Sequence, residues 1–108
     1  MSVSDSILKA AQNLIKGDRA EDYGDKTITH RNIAELWSDY LGHSVSAHDV
    51  AICMILLKIA RLKTKHKEDS YIDIAGYAAI AAEIEIDNQI AKKKSLKTLA
   101  TLMSKDNK

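Results

Sequence analysis

The chain has 108 residues, 45% of them hydrophobic and 29% charged, with no proline, four glycines and a formal net charge of +1. These proportions describe one small globular domain and exclude a disordered chain. They leave too few turn formers for a β-sandwich or barrel and too little charge for a general attraction to nucleic acid or a membrane surface.

The sequence has no run of 18 apolar residues, the length that would span a bilayer. The stretch MSVSDSILKA lacks the basic and apolar regions of a signal peptide. The single cysteine, Cys53, has no partner for an internal disulfide and points to a reducing compartment. Lying in the apolar run AICMILL, it reads as a core residue rather than a nucleophile.

The first helix is expected over residues 5–16. Ile7, Leu8, Ala11, Leu14 and Ile15 form one helical stripe, Ser2 and Asp5 have capping-box spacing, and Gly17 stands where a C′ glycine belongs. The polar segment from Asp18 to Asp25 reads as a loop. Thr27 or Thr29 is expected to cap a second helix over 29–41, with Ile33, Ala34, Trp37, Tyr40 and Leu41 on one side and Gly42 at its end.

Ser46 and Asp49 form a second capping-box pair, opening a third helix over about 47–64. Its centre, Ala51 to Leu57, is apolar on every side, which calls for neighbours all round. So short a chain cannot surround one helix, and this predicts a homo-oligomer, at least a dimer. A fourth helix is expected over 69–90. Its small-residue cluster runs from Ala75 through Gly76 to Ala79; Gly76 in mid-helix costs about 1 kcal/mol against alanine, so something should offset it. Beyond Lys92-Lys93-Lys94, the stripe of Leu96, Leu99, Leu102 and Met103 is either a fifth helix or an extension of the fourth. Residues 104–108 are expected to fray. The fold class is therefore all-α: one domain over 1–108, a compact bundle of four to five helices, oligomerising through the third and fourth.

Three groups of residues carry chemistry. Arg19, Tyr23 and Gly24, followed by His30 and Asn32, combine a phosphate-binding cation, a stacking ring and a close-approach glycine; a solvated turn is the plainer reading. Lys58 and Arg61 share a helix face, and Lys58 interrupts an apolar stretch, so it must snorkel, pair with a carboxylate or line a polar cavity. Asp69 and Asp73 lie one turn apart, with Tyr77 a turn further on. They repel unless they bind Mg²⁺ or meet Lys58 and Arg61. The histidines have no zinc-ligand spacing with Cys53 or with one another.

The order Arg19-x-x-x-Tyr23-Gly24-Asp25, His30-x-Asn32-Ile33-Ala34-x-x-Trp37, Lys58-x-x-Arg61 and Asp69-Ser70-x-x-Asp73-x-x-Gly76-Tyr77 resembles small bacteriophage proteins related to the phage nucleotide-modification-associated domain. The resemblance covers about residues 5 to 85. A looser likeness is to the MazG-like all-α nucleotide pyrophosphohydrolases, whose E-x-x-E and E-x-x-D helices hold Mg²⁺. This chain departs from that pattern: its first helix has no glutamate, and Asp69-x-x-x-Asp73 matches half of the signature.

The phage likeness implies a protein of the infected host's cytoplasm that binds a nucleotide-derived ligand. Some phage proteins of this size sequester cyclic or ADP-ribose-type immune signals. On that model Arg19, Lys58 and Arg61 meet phosphates, Asp69 or Asp73 meets ribose hydroxyls, and Tyr23, Trp37 or Tyr77 stacks on the base. The expectation is an anti-defence sponge without turnover, no cofactor, and no membrane or nucleic-acid partner. The alternative is a divergent MazG-like pyrophosphohydrolase that uses Mg²⁺, and a third is a structural or protein-binding bundle.

Overall fold

The computed structural model describes residues 2–16 and 26–106, which form four helices: α1 (Val3–Lys16), α2 (Lys26–Leu41), α3 (Ala47–Leu62) and α4 (Glu68–Asp106). The all-α bundle follows from the sequence pattern, and each helix start has a local cause where its cap is described. Ser2 caps α1, its Oγ accepting the Asp5 backbone N–H at 3.1 Å. At α3 both halves of a capping box are made: the Asp49 N–H donates to Ser46 Oγ and the Ser46 N–H donates to Asp49 Oδ2, each at 3.0 Å.

The start of α2 differs from expectation. The helix is already formed at Lys26, so Thr27 and Thr29 lie inside its first turn and do not cap it. Gly17, expected to end α1, lies outside the described residues. Gly42 does end α2, with φ +75° and its N–H donating to the Ser38 carbonyl at 2.9 Å. Ser38 also anchors the link to α3, its Oγ accepting the Val45 N–H at 2.8 Å.

α4 is the spine. It packs against α3, α1 and α2, and α3 also packs against α2. The core is narrow and built of small and branched side chains: Ala11, Ala34, Val50, Ala51, Ile80, Ala81 and Ile84. Residues 92–105 continue α4 without a break, making a single helix of 39 residues. At 1.5 Å per residue that is about 58 Å, close to the 65 Å longest dimension of the molecule. From Glu85 to Lys105 every residue of it is exposed, so this half stands clear of the bundle.

The apolar run in α3 is divided between two faces. Val50 and Ala51 are buried, whereas Ile52, Leu56, Leu57 and Ile59 are 38–57% exposed. Cys53 is exposed too, which corrects its assignment to the core. The error has a simple cause: an all-apolar helix implies burial on every side only when neighbours exist on every side, and the bundle covers one.

Candidate functional site

A partly open cavity of about 330 Å³ lies where all four helices converge. α1 contributes Leu14 and Ile15, α2 contributes Lys26, Thr29, His30 and Ile33, α3 contributes Met54, and α4 contributes Asp73, Gly76, Tyr77 and Ile80. The volume is at the small end of the range for ligand pockets, about 300–1,000 Å³, and the lining has their usual character of apolar walls with a few convergent polar groups.

His30 is the most unusual of these groups. Only 4% of its surface is exposed. Its Nδ1 lies 2.8 Å from the Lys26 carbonyl, one turn earlier. A carbonyl can only accept, so Nδ1 carries a proton, and in that tautomer Nε2 is the acceptor. Nε2 is buried and has no hydrogen-bond partner among the described residues. Such a group costs about 1–3 kcal/mol unless something satisfies it. The ring leans on Tyr77 at a centroid distance of 6.0 Å and an angle of 60°.

On the α3–α4 side, Lys58 Nζ meets Asp73 Oδ2 at 3.0 Å, with 16% and 28% of the two side chains exposed. Lys58 is therefore neither solvated nor snorkelling: it is turned inward onto the carboxylate that lines the cavity. Gly76 sits on the wall facing α1. A Cβ there would meet Leu14 Cδ2 at 3.7 Å, an ordinary contact, so the space tolerates a methyl group and α1 does not require the glycine.

The structure thus brings together His30, Asp73 and Tyr77 in the cavity lining and Lys58 beside them. Asn32, Trp37, Arg61 and Asp69 are not part of that lining. Asn32, Arg61 and Asp69 are exposed and Trp37 is half-buried. The helical turn accounts for Asn32, since two residues on from His30 is nearly the opposite face. Asp69 and Asp73 are separated by use: the first is exposed in the opening turn of α4, and the second is committed to Lys58. Among the described residues, no three His, Cys, Asp or Glu side chains are grouped to hold a metal ion. Arg19, Tyr23 and Gly24 lie outside the described residues. The segment that carries them joins two helices whose adjoining ends, Leu14 and Ile15 on one side and Lys26 and Thr29 on the other, line the cavity.

Leu14, Ile15, Ile33, Met54 and Ile80, the apolar walls, were not expected as site residues. In a sequence, such positions have the same signature as core, and nothing in their spacing distinguishes them. No described helix is long and apolar enough to cross a membrane.

The sequence profile of the family described as "Domain of unknown function (DUF6378)" matches residues 6–85, the part of the chain that builds the bundle and the cavity. The chain is 45% identical over 83 residues to the Gene 55 protein of Mycobacterium phage L5, an alignment covering 75% of this chain and 53% of that protein. It is 47% identical over 83 residues to the Gene 55 protein of Mycobacterium phage D29, covering 76% and 55%. It therefore spans about half the length of these phage relatives. No solved structure matches significantly.

Proposed function

The chain belongs to the DUF6378 family, and on that premise and the chemistry of the cavity we propose that it binds a nucleotide-derived ligand and holds it without turnover. The observation that carries this reading is His30 Nε2, a buried acceptor without a described protein partner, on the wall of a 330 Å³ cavity. An exocyclic amine or a ribose hydroxyl would satisfy it. Leu14, Ile15, Met54 and Ile80 give a base its apolar walls, and Tyr77 gives it an aromatic neighbour. Asp73 retains one carboxylate oxygen for a ribose hydroxyl, and Lys58 is the adjacent cation for a phosphate. The cavity suits one nucleoside unit. A cyclic dinucleotide or an ADP-ribose conjugate would extend past it along α3 towards Arg61, three residues beyond Lys58. Likeness to phage proteins supports the further reading that the ligand is an immune signal of the host cytoplasm, sequestered as by a sponge.

The competing reading is a divergent MazG-like pyrophosphohydrolase that uses Mg²⁺. It needs Asp69 and Asp73 on a shared cation, whereas Asp73 is paired with Lys58 and Asp69 is exposed.

The test is to incubate the protein with nucleoside triphosphates, cyclic dinucleotides and ADP-ribose derivatives, then heat-denature it and chromatograph what is released. Calorimetric titrations in EDTA and in excess Mg²⁺ complete it. The expected result is an intact ligand, with the same affinity in both buffers. Monophosphate plus pyrophosphate, or affinity that vanishes in EDTA, restores the enzyme. His30→Phe keeps an aromatic ring beside Tyr77 and removes the unsatisfied acceptor. It should change stability by about 1 kcal/mol or less and weaken ligand binding at least tenfold; unchanged binding would remove His30 from the site.

A further inference from the structure

The surface of the chain is too large for its mass. A compact monomer of 12.0 kDa exposes about 6,000 Å², whereas this chain exposes 8251 Å². A standard protein interface takes about 800 Å² from each partner. The excess is larger than that.

The outer face of α3 has the pattern to use it. Asp49, Ile52, Cys53, Leu56, Ile59, Ala60 and Lys63 recur at spacings of three, one, three, three, one and three. All seven are exposed, and this spacing is that of a coiled-coil seam. The pattern is also a palindrome about Leu56. Ile52 and Ala60 lie four residues on either side of it, and Cys53 and Ile59 lie three. Asp49 and Lys63 lie seven residues away, at opposite ends and with opposite charge.

We propose that this face is the two-fold interface of a homodimer, in which α3 packs antiparallel against α3 of a second copy with Leu56 on the axis. In that register Leu56 meets Leu56 of the second copy, apolar residues meet apolar residues, and each Asp49 faces a Lys63. Asp49 Oδ2 is used by the Ser46 N–H, which leaves its other oxygen for the lysine. A parallel pairing would set Asp49 against Asp49 and Lys63 against Lys63, so charge selects the antiparallel arrangement. An isologous contact needs a self-complementary face, and this palindrome provides one. That is the argument for a second copy over an unrelated protein. Lys58 and Asp73 lie on the opposite side of α3, so the interface leaves the cavity open and stands independently of its ligand.

The experiment uses the full chain. Light scattering at micromolar concentration should give a dimer mass, twice that of the 12.0 kDa chain. Leu56→Asp, which puts two carboxylates on the axis, should give the monomer with its helical circular dichroism intact, because Leu56 is 57% exposed in the single chain. The register has its own test. A variant with Cys53→Ser and Leu56→Cys should form an intermolecular disulfide under mild oxidation, and the native chain, whose Cys53 faces Ile59, should do so far more slowly. A monomeric native protein overturns the proposal and leaves the face to another partner. So does a dimer that survives Leu56→Asp but is dispersed by Leu99→Asp, which would locate the contact on the projecting end of α4. Rapid cross-linking through Cys53 and none through position 56 overturns the register.

Discussion

The two faces of α3 invert the usual arrangement of a soluble helix. On the inner side Lys58, a cation, is 16% exposed and bonded to Asp73. On the outer side Leu56 and Leu57, its immediate predecessors, are 57% and 50% exposed. A helix placed by hydrophobicity alone would be turned the other way, with the leucines inside and the lysine in water. Each half of the inversion carries a cost that the isolated fold does not recover. Partly desolvating an ion pair gains little stability over an apolar pair of the same size, and an exposed leucine face gains nothing until something covers it. The inner face therefore makes sense as a site and the outer face as an interface. The same helix can serve both only because they lie on opposite sides.

The sharpest way to break this comparison is at Lys58. If the inner pair exists for a ligand, its two members should be dispensable together and harmful to lose singly. Lys58→Ala leaves the Asp73 carboxylate half-buried and unpaired. A fully buried pair broken in this way costs about 3–5 kcal/mol; with these exposures about 1–3 kcal/mol is expected. Replacing both, as Lys58→Met with Asp73→Leu, should restore most of the stability, because no charge is left to desolvate, while ligand binding stays lost. Denaturant melts of the three proteins beside a binding titration decide it. A double variant that binds normally would make the pair a plain structural contact.

Gly76 sharpens the comparison from the cavity side. In mid-helix it gives up about 1 kcal/mol relative to alanine, and Leu14 Cδ2 leaves room at 3.7 Å for the missing methyl group. Packing therefore does not explain the glycine, but the cavity does, since Gly76 is part of its wall. Gly76→Ala should raise the denaturation midpoint by an amount equivalent to about 0.5–1 kcal/mol and weaken the ligand. A variant that is both more stable and equally good at binding would show that the site does not extend to this turn of α4.

How much of this was legible in the sequence depended on the range of the interaction. The Ser46–Asp49 capping box and the Gly42 stop are local, set by residues three or four apart, and spacing alone found them. Lys58 was legible as an anomaly: a cation in an apolar run has few permitted fates, and pairing with Asp73 was one of them. The start of α2 was not legible, because Thr27 and Thr29 are good caps in isolation and the helix simply begins before them. Cys53 was misjudged for a physical reason, since an apolar run says that a residue wants cover and not which molecule supplies it. Met54 and Leu14 could not be told from core, because a cavity wall is core on three sides. His30 Nε2 is visible only in the folded structure, as its isolation is a property of everything around it.

The smallest expected effect tests the N-terminal end of α3, far in sequence from Lys58. The Asp49 carboxyl is held below its ordinary value of 3.8, first by the hydrogen bond from the Ser46 backbone N–H and then by the Ser46 side chain, with His48 adding a little. A carboxyl lowered by folding contributes stability that is complete above 3.8 and is lost as pH falls through the lower, folded value. Asp49→Asn keeps an oxygen for the Ser46 N–H and removes only the charge. It should therefore be slightly less stable than its parent at pH 7, by the same margin at pH 5, and should converge with it in acid, below the lowered folded value, as the parent's own carboxyl is protonated. Melts across that range in the Leu56→Asp background, where Lys63 of a second copy is absent, isolate the cap. Restoring Leu56 should widen the neutral-pH gap if Asp49 also faces that lysine, and an identical gap in both backgrounds would remove the charge pair from the interface.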